Sequence, residues 1–306
     1  LERQRGARLG PGRPGATPYP GLGAVKEISL ATARGRITAL RGGDPSGPRV
    51  LALHGWLDNV ASFLPLSSQL AQFDLVALDL PGHGGSDHRQ PGYDYAFVDW
   101  IHDGFDAFDA LGWEKASLLG HSMGGAIATL MAASLPARVE RLALIEALGP
   151  VSGKAEEAGA RLRQAVIARR ALDPARAPRV IADLDQAIAA RLAVSNMSRE
   201  AAKLIVERNL REVPGGFVWR SDPRLTLPAH VRTDEAFIRD WLRAIEAPTL
   251  VIAADPAPPY FTAAQRDERA ALLRDGRVAT LPGSHHLHME QPDVVGPVLR
   301  EFLGAP

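Results

Sequence analysis

Apolar residues fall along this chain in two rhythms. Short, predominantly apolar runs occur at Val50-Leu51-Ala52-Leu53, residues 75–80, Ser117-Leu118-Leu119, residues 142–145 and residues 249–253. Longer stretches between them repeat their apolar positions every third or fourth residue, as over 97–111. A brief apolar run bounded by turn residues predicts a strand buried on both faces, and such strands alternating with helices predict a parallel sheet covered on both sides. Ahead of these runs, alternation over 25–30 and 36–40 around Gly35 predicts two further strands joined by a short turn. The small apolar residues 126–135 predict a buried helix, because the run is far below the roughly 20 residues that span a bilayer.

The rhythm breaks between Leu148 and Ala247, where no buried strand is evident. Val180, Leu184, Ile188 and Leu192 recur every fourth residue and mark one face of a helix. Residues 161–172 and 199–213 also read as helical, with arginines on the solvated side, and Pro174, Pro178 and Pro214 punctuate them. Residues 241–245 belong to a helix that returns to the sheet. The expected organisation is a tail over 1–23, a core over 24–147 and 229–306, and a helical cap over 148–228 inserted after the sixth strand.

Composition narrows the function classes. Lys+Arg and Asp+Glu both number 35, so no global field favours nucleic acid or an anionic membrane. The absence of cysteine excludes disulfides, thiolate metal sites and cysteine nucleophiles. Residues 1–23 are rich in Arg, Gly and Pro and contain no apolar h-region, so a flexible tail and a cytoplasmic protein are expected. The chain does not open on methionine, and its N-terminus is expected to be incomplete.

The chemistry gathers where strands end. Gly120-His121-Ser122-Met123-Gly124 lies between an apolar run and a helical one, which predicts a strand, a sharp turn and a helix with Ser122 at the tip. A serine presented in this way serves chiefly as a nucleophile, and it needs a base because its hydroxyl is a weak nucleophile at neutral pH. The segment Gly283-Ser284-His285-His286-Leu287-His288-Met289-Glu290 supplies three candidates. His285 is preferred, since it follows the small residues where the backbone can turn toward the sheet; His288 is second and His286 third. A zinc site in this cluster is not expected, because no matching ligand spacing occurs elsewhere. The base needs an acid to fix its tautomer. Glu146 ends the run 142–145 and Asp255 follows the run 249–253. Glu146 is favoured and Asp255 stays open as the alternative. The N–H of Met123 at a helix start and the N–H of Trp56 in His54-Gly55-Trp56-Leu57-Asp58-Asn59 are the expected oxyanion donors. His54, His121 and Asp79 are read as structural. The Gly-rich turn after Asp79 lacks the Lys-Ser/Thr of a nucleotide loop.

His54-Gly55-Trp56, Asp79-Leu80-Pro81-Gly82-His83-Gly84-Gly85-Ser86, Gly120-His121-Ser122-Met123-Gly124-Gly125 and the His285 loop follow one another in the order of an α/β-hydrolase. The resemblance covers about residues 25–303. Within that fold, residues 54–59 and Pro282-Gly283-Ser284-His285 with His288-Met289 look like the serine hydrolase-like subfamily. The resemblance implies an α/β-hydrolase fold, with a mostly parallel central sheet flanked by helices and an inserted helical cap. It also implies a Ser–acid–His triad containing Ser122 and His285. The usual Gly-x-x-Asp after the seventh strand is replaced here by Ala253-Ala254-Asp255-Pro256, whereas related haloalkane dehalogenases carry the acid after strand six, the position of Glu146. Those dehalogenases and the epoxide hydrolases of the fold use Asp as nucleophile, so a serine disfavours both activities.

The expectation is a serine hydrolase that cleaves a carboxylic ester, thioester or lactone through an acyl-enzyme on Ser122. It would use no metal or organic cofactor and act on a small molecule with a hydrophobic acyl group. Cofactor-free haloperoxidase-like or C–C bond hydrolase chemistry with the same triad is the alternative. A ligand-binding receptor or scaffold with little turnover is the reading from another class.

Overall fold

The computed structural model describes residues 25–173 and 177–305. The tail expected over 1–23 and the break at Pro174 lie outside the described residues. Among the described residues ten strands form: β1 Lys26–Thr32, β2 Gly35–Gly43, β3 Arg49–Leu53, β4 Asp74–Leu78, β5 Ala116–His121, β6 Val139–Ile145, β7 Leu210–Val213, β8 Gly216–Trp219, β9 Thr249–Asp255 and β10 Gly276–Pro282. The principal helices are α1 Asp99–Leu111, α2 Met123–Ser134, α3 Ala158–Ala171, α4 Leu184–Leu192, α5 Arg199–Asn209, α6 Glu235–Arg243, α7 Ala263–Ala270, α8 Leu287–Glu290 and α9 Pro292–Leu303.

Eight strands make one sheet in the order β1-β2-β4-β3-β5-β6-β9-β10. The β1–β2 and β2–β4 pairs are antiparallel, and the rest are parallel. The apolar runs are continuous because both faces are covered. Leu51, Leu53, Leu118, Leu142, Leu144 and Val251 pack on one side with Trp100, Phe108, Ile127, Met131, Ile238 and Leu242 of α1, α2 and α6. Their strand neighbours Val50, Ala52, Leu119, Ala143, Ile145, Leu250 and Ile252 face the other side, against Val295, Leu299 and Phe302 of α9. This is the two-residue strand period read directly from two cores. Each buried Leu or Ile is worth about 1.5–3 kcal/mol relative to exposure.

Strand register matters most at the carboxyl edge. Leu53 lies level with Gly120, His121 with Ile145, and Ile145 with Ile252. The first residues beyond β3, β5, β6 and β9 therefore emerge side by side, where ligands bind in open parallel sheets.

Between β6 and β9 the chain holds α3, α4, α5 and the hairpin β7–β8. The hairpin departs from the expectation of no strand in this interval and of a helix over 199–213. Helix α5 stops at Asn209, and Gly215 and Gly216 take φ of 87° and 142° to reverse the chain. Strands of four residues leave no buried apolar run to read. Their inward residues, such as Leu210, join Ile181, Ile188, Ala202 and Val206 in a small separate core. Val180 falls outside the helix that its spacing suggested, because Asp183 caps α4 by accepting from Gln186 N–H at 2.8 Å. Helix α6 likewise closes at Arg243, short of Ile245.

Candidate active site

Ser122 stands alone between the last residue of β5 and the first of α2. Its backbone sits at φ 51° and ψ −116°, which non-glycine residues rarely adopt and which the surroundings must enforce. The enforcement is visible. Ser122 N–H donates to Ile145 O at 2.9 Å, and Ser122 O accepts from Ala126 N–H at 3.0 Å. A Cβ on Gly120 would lie 2.5 Å from Gly125 Cα, and one on Gly124 only 2.0 Å from Leu53 O, so both neighbours must be glycine. Ser122 itself is half-buried. Among the described residues its hydroxyl takes no hydrogen-bond partner, His285 included.

Glu146 directly follows β6, also with positive φ (55°) and with its side chain buried. Oε1 accepts from Ala254 N–H at 2.6 Å, and Oε2 lies 3.2 Å from His285 Nδ1. A carboxylate only accepts, so Nδ1 carries the proton and Nε2 presents a lone pair. The His285 carbonyl accepts from His121 Nε2–H at 2.8 Å, and the two rings are 4.8 Å apart. The residue before the serine thus holds the backbone of the histidine. Burial pulls the His285 pKa below its ordinary value, against the opposing pull of Glu146. Tyr260 stands edge-on to the His285 ring at 5.6 Å, and its hydroxyl is pushed up to about 12 by burial and then by the Glu146 charge.

The other two histidines sit elsewhere. His286 places Nε2 3.3 Å from Asp58 Oδ2, and His288 is fully buried against Phe63 and His121. The structure brings Glu146 to His285 and leaves Asp255 exposed at the end of β9, where its carbonyl accepts from Gly283 N–H.

In the loop after β3, His54 Nδ1–H donates to Gly55 O at 2.8 Å and Nε2 accepts from Leu80 N–H at 3.0 Å. Both ring nitrogens are committed, which is a structural use. His83 accepts from Leu57 N–H at 3.3 Å, and burial drives its pKa down to about 3. Leu57 takes φ 59°. Among the described residues the N–H groups of Trp56 and Met123 have no acceptor. The Trp56 ring is exposed, and its indole N–H donates to Leu225 O at 2.9 Å. Asp79 accepts from Val60 and Gly85 N–H and from Arg208.

Sequence reasoning missed how the segment between β6 and β9 grips these loops. Arg191 of α4 pairs with buried Asp58, and Arg208 of α5 pairs with buried Asp79. Asn59 Nδ2–H donates to Ile205 O at 2.8 Å, and Ser198 N–H donates to Glu290 at 2.6 Å. The available signal was an acid in each strand-end loop, since a buried carboxylate demands a cation.

This geometry belongs to a recognisable class. Residues 48–292 match the family model described as alpha/beta hydrolase fold, and the chain belongs to that family. Its relatives sharpen the placement to the serine hydrolase-like proteins. Serine hydrolase-like protein 2 of Homo sapiens is 32% identical over 93% of this chain and 95% of its own length. The serine hydrolase-like protein of Danio rerio is 31% identical over 92% and 89%. A solved hypothetical protein of Pseudomonas aeruginosa PAO1 is 39% identical, covers 92% of this chain and 99% of its own, and superposes with a TM-score of 0.85. The protein is thus a hydrolase, as the resemblance implied. No helix among the described residues is long and apolar enough to cross a membrane.

Proposed function

We propose that the chain is a serine hydrolase that cleaves a carboxylic ester, or the related thioester or lactone, through an acyl-enzyme on Ser122. The observation that carries this reading is the 3.2 Å contact of Glu146 with His285 Nδ1, which leaves Nε2 unprotonated on a residue whose carbonyl is held by His121, next to Ser122. In this reading Ser122 Oγ attacks the acyl carbon while His285 Nε2 takes its proton. The N–H groups of Trp56 and Met123 hold the oxyanion, and α2 adds the positive end of its dipole. Collapse breaks the bond to the leaving group, which receives the proton from His285. Water then repeats the sequence in reverse and frees Ser122. Glu146 holds the imidazole orientation and stabilises the imidazolium. Residues 148–228 act as a cap over the pocket and favour an apolar acyl group.

The test is a panel of p-nitrophenyl esters of increasing acyl length, run beside Ser122→Ala. Turnover should fall at least ~10³-fold in the variant. Undiminished turnover in Ser122→Ala removes the mechanism.

A further inference from the structure

A second cluster of charge and imidazole lies beneath the site and takes no part in the proposed reaction. Asp58, His121 and His286 are all buried, and one ligand atom from each lies within 4.8 Å of the others. They come from the loop after β3, the end of β5 and the loop after β10, the three segments that carry Trp56, Ser122 and His285.

The atoms face one another in a way that protons alone satisfy poorly. His121 Nε2–H is committed to the His285 carbonyl, so a neutral ring turns its Nδ1 lone pair toward Asp58 Oδ2, 3.6 Å away. Nδ1 of His121 is buried without a hydrogen-bond partner, as is Nδ1 of His286. A lone pair aimed at a carboxylate oxygen in a dry interior is repulsive unless a cation lies between them. Gly55 leaves this corner without a side chain, and a Cβ there would crowd both Asp58 Oδ2 and His121 Nδ1 at 3.0 Å. The separations of Asp58 Oδ2 from His286 Nε2 (3.3 Å) and from His121 Nδ1 (3.6 Å) approach the edge of a tetrahedron with ~2 Å metal–ligand bonds, while the three atoms together span up to 4.8 Å, so the two imidazoles must draw closer to hold an ion. The His121 Nε2–H to carbonyl bond is the outer contact that usually orients a metal-bound imidazole.

We infer that Asp58 Oδ2, His121 Nδ1 and His286 Nε2 form a binding site for one divalent transition-metal ion of the zinc type. Arg191 occupies Oδ1 of Asp58, so the carboxylate binds through Oδ2 alone. The ion replaces the Nε2 proton of His286, which moves to Nδ1 of the same ring. No zinc-ligand spacing is visible along the chain because the three ligands come from three separate segments. Bound there, the ion ties those loops together, and binding is measurable whether or not the esterase reading holds.

The experiment titrates Co2+ into the metal-free full chain, following visible d–d absorption, and measures Tm with and without Zn2+. One equivalent of Co2+ with a tetrahedral spectrum is expected, together with a rise in Tm. His286→Gln and Asp58→Asn should each weaken binding more than ~10-fold, the least expected when even an outer contact is lost. His285→Gln should keep the site, which separates it from metal capture by the His285–Glu146 pair. If a ligand variant does not fold, the anomalous scattering of Co2+ in wild-type crystals decides the position. No stoichiometric binding, binding that survives His286→Gln and disappears in His285→Gln, or an anomalous peak away from Asp58 overturns the inference.

Discussion

The molecule holds two carboxylate–histidine pairs of almost the same length, built within one loop cluster. Glu146–His285 is 3.2 Å and Asp58–His286 is 3.3 Å. Their settings differ. His285 keeps 21% of its side chain exposed and His286 only 6%. Asp58 is already neutralised by Arg191, whereas among the described residues the Glu146 carboxylate has, besides His285, the neutral Ala254 N–H. Burial raises the Asp58 pKa, yet the His286 contact and the Arg191 charge oppose it, and the carboxyl stays well below the usual carboxylate range. A carboxylate–imidazole contact therefore has no fixed role. A free Nε2 open to the surface suits proton transfer, and a sealed pair with its own counter-cation suits cross-linking of the structure.

The comparison breaks most sharply in paired substitutions. Glu146→Gln should lower kcat by up to ~10⁴-fold with Tm little changed, since it spoils the tautomer and not the packing. Asp58→Asn should do the reverse. It strands Arg191 beside His286 without an anion, costs about 3–5 kcal/mol of stability, and leaves kcat of the folded fraction within roughly tenfold of wild type. Thermal melts and initial rates on the same samples check both, and equal effects on both quantities in both variants would erase the distinction. A smaller effect is expected from pH. Proton transfer needs neutral His285, whose pKa burial lowers, so kcat/KM should rise through a limb below the ordinary histidine value of ~6.5 and be level above it. A limb above that value contradicts the placement of His285 in a partly dry site. The smallest effect is expected from Asp255→Asn. Asp255 is exposed and, among the described residues, its carboxylate makes no hydrogen bond to Glu146 or His285, and rates should change less than ~3-fold.

How legible this was depends on how local each signal is. The parallel sheet could be read because strands such as Leu142–Ile145 are covered on both faces and stay apolar throughout. The turn at Ser122 could be read because Gly120 and Gly124 flank it within five residues, Gly120 pressed against Gly125 of α2 and Gly124 against Leu53 of β3. Strand β10 left no such trace, because it lies at the sheet edge and is largely exposed. Hairpin β7–β8 is too short to bury a run on either face. At the site, the preference for Glu146 over Asp255 rested on a strand-end carboxylate needing a partner, and the 3.2 Å contact now supports that proposal. The roles of Arg191, Arg208 and Tyr260 were not legible, since each acts across more than a hundred residues of sequence or through a ring contact with no spacing of its own.

The central claim is that Ser122 is a nucleophile activated by its surroundings, and intact-mass measurement after fluorophosphonate treatment tests it most directly. One adduct per chain, mapped by fragmentation to Ser122 and absent from Ser122→Ala, is the predicted result. An unlabelled wild-type chain, or an adduct that persists in Ser122→Ala, would contradict it.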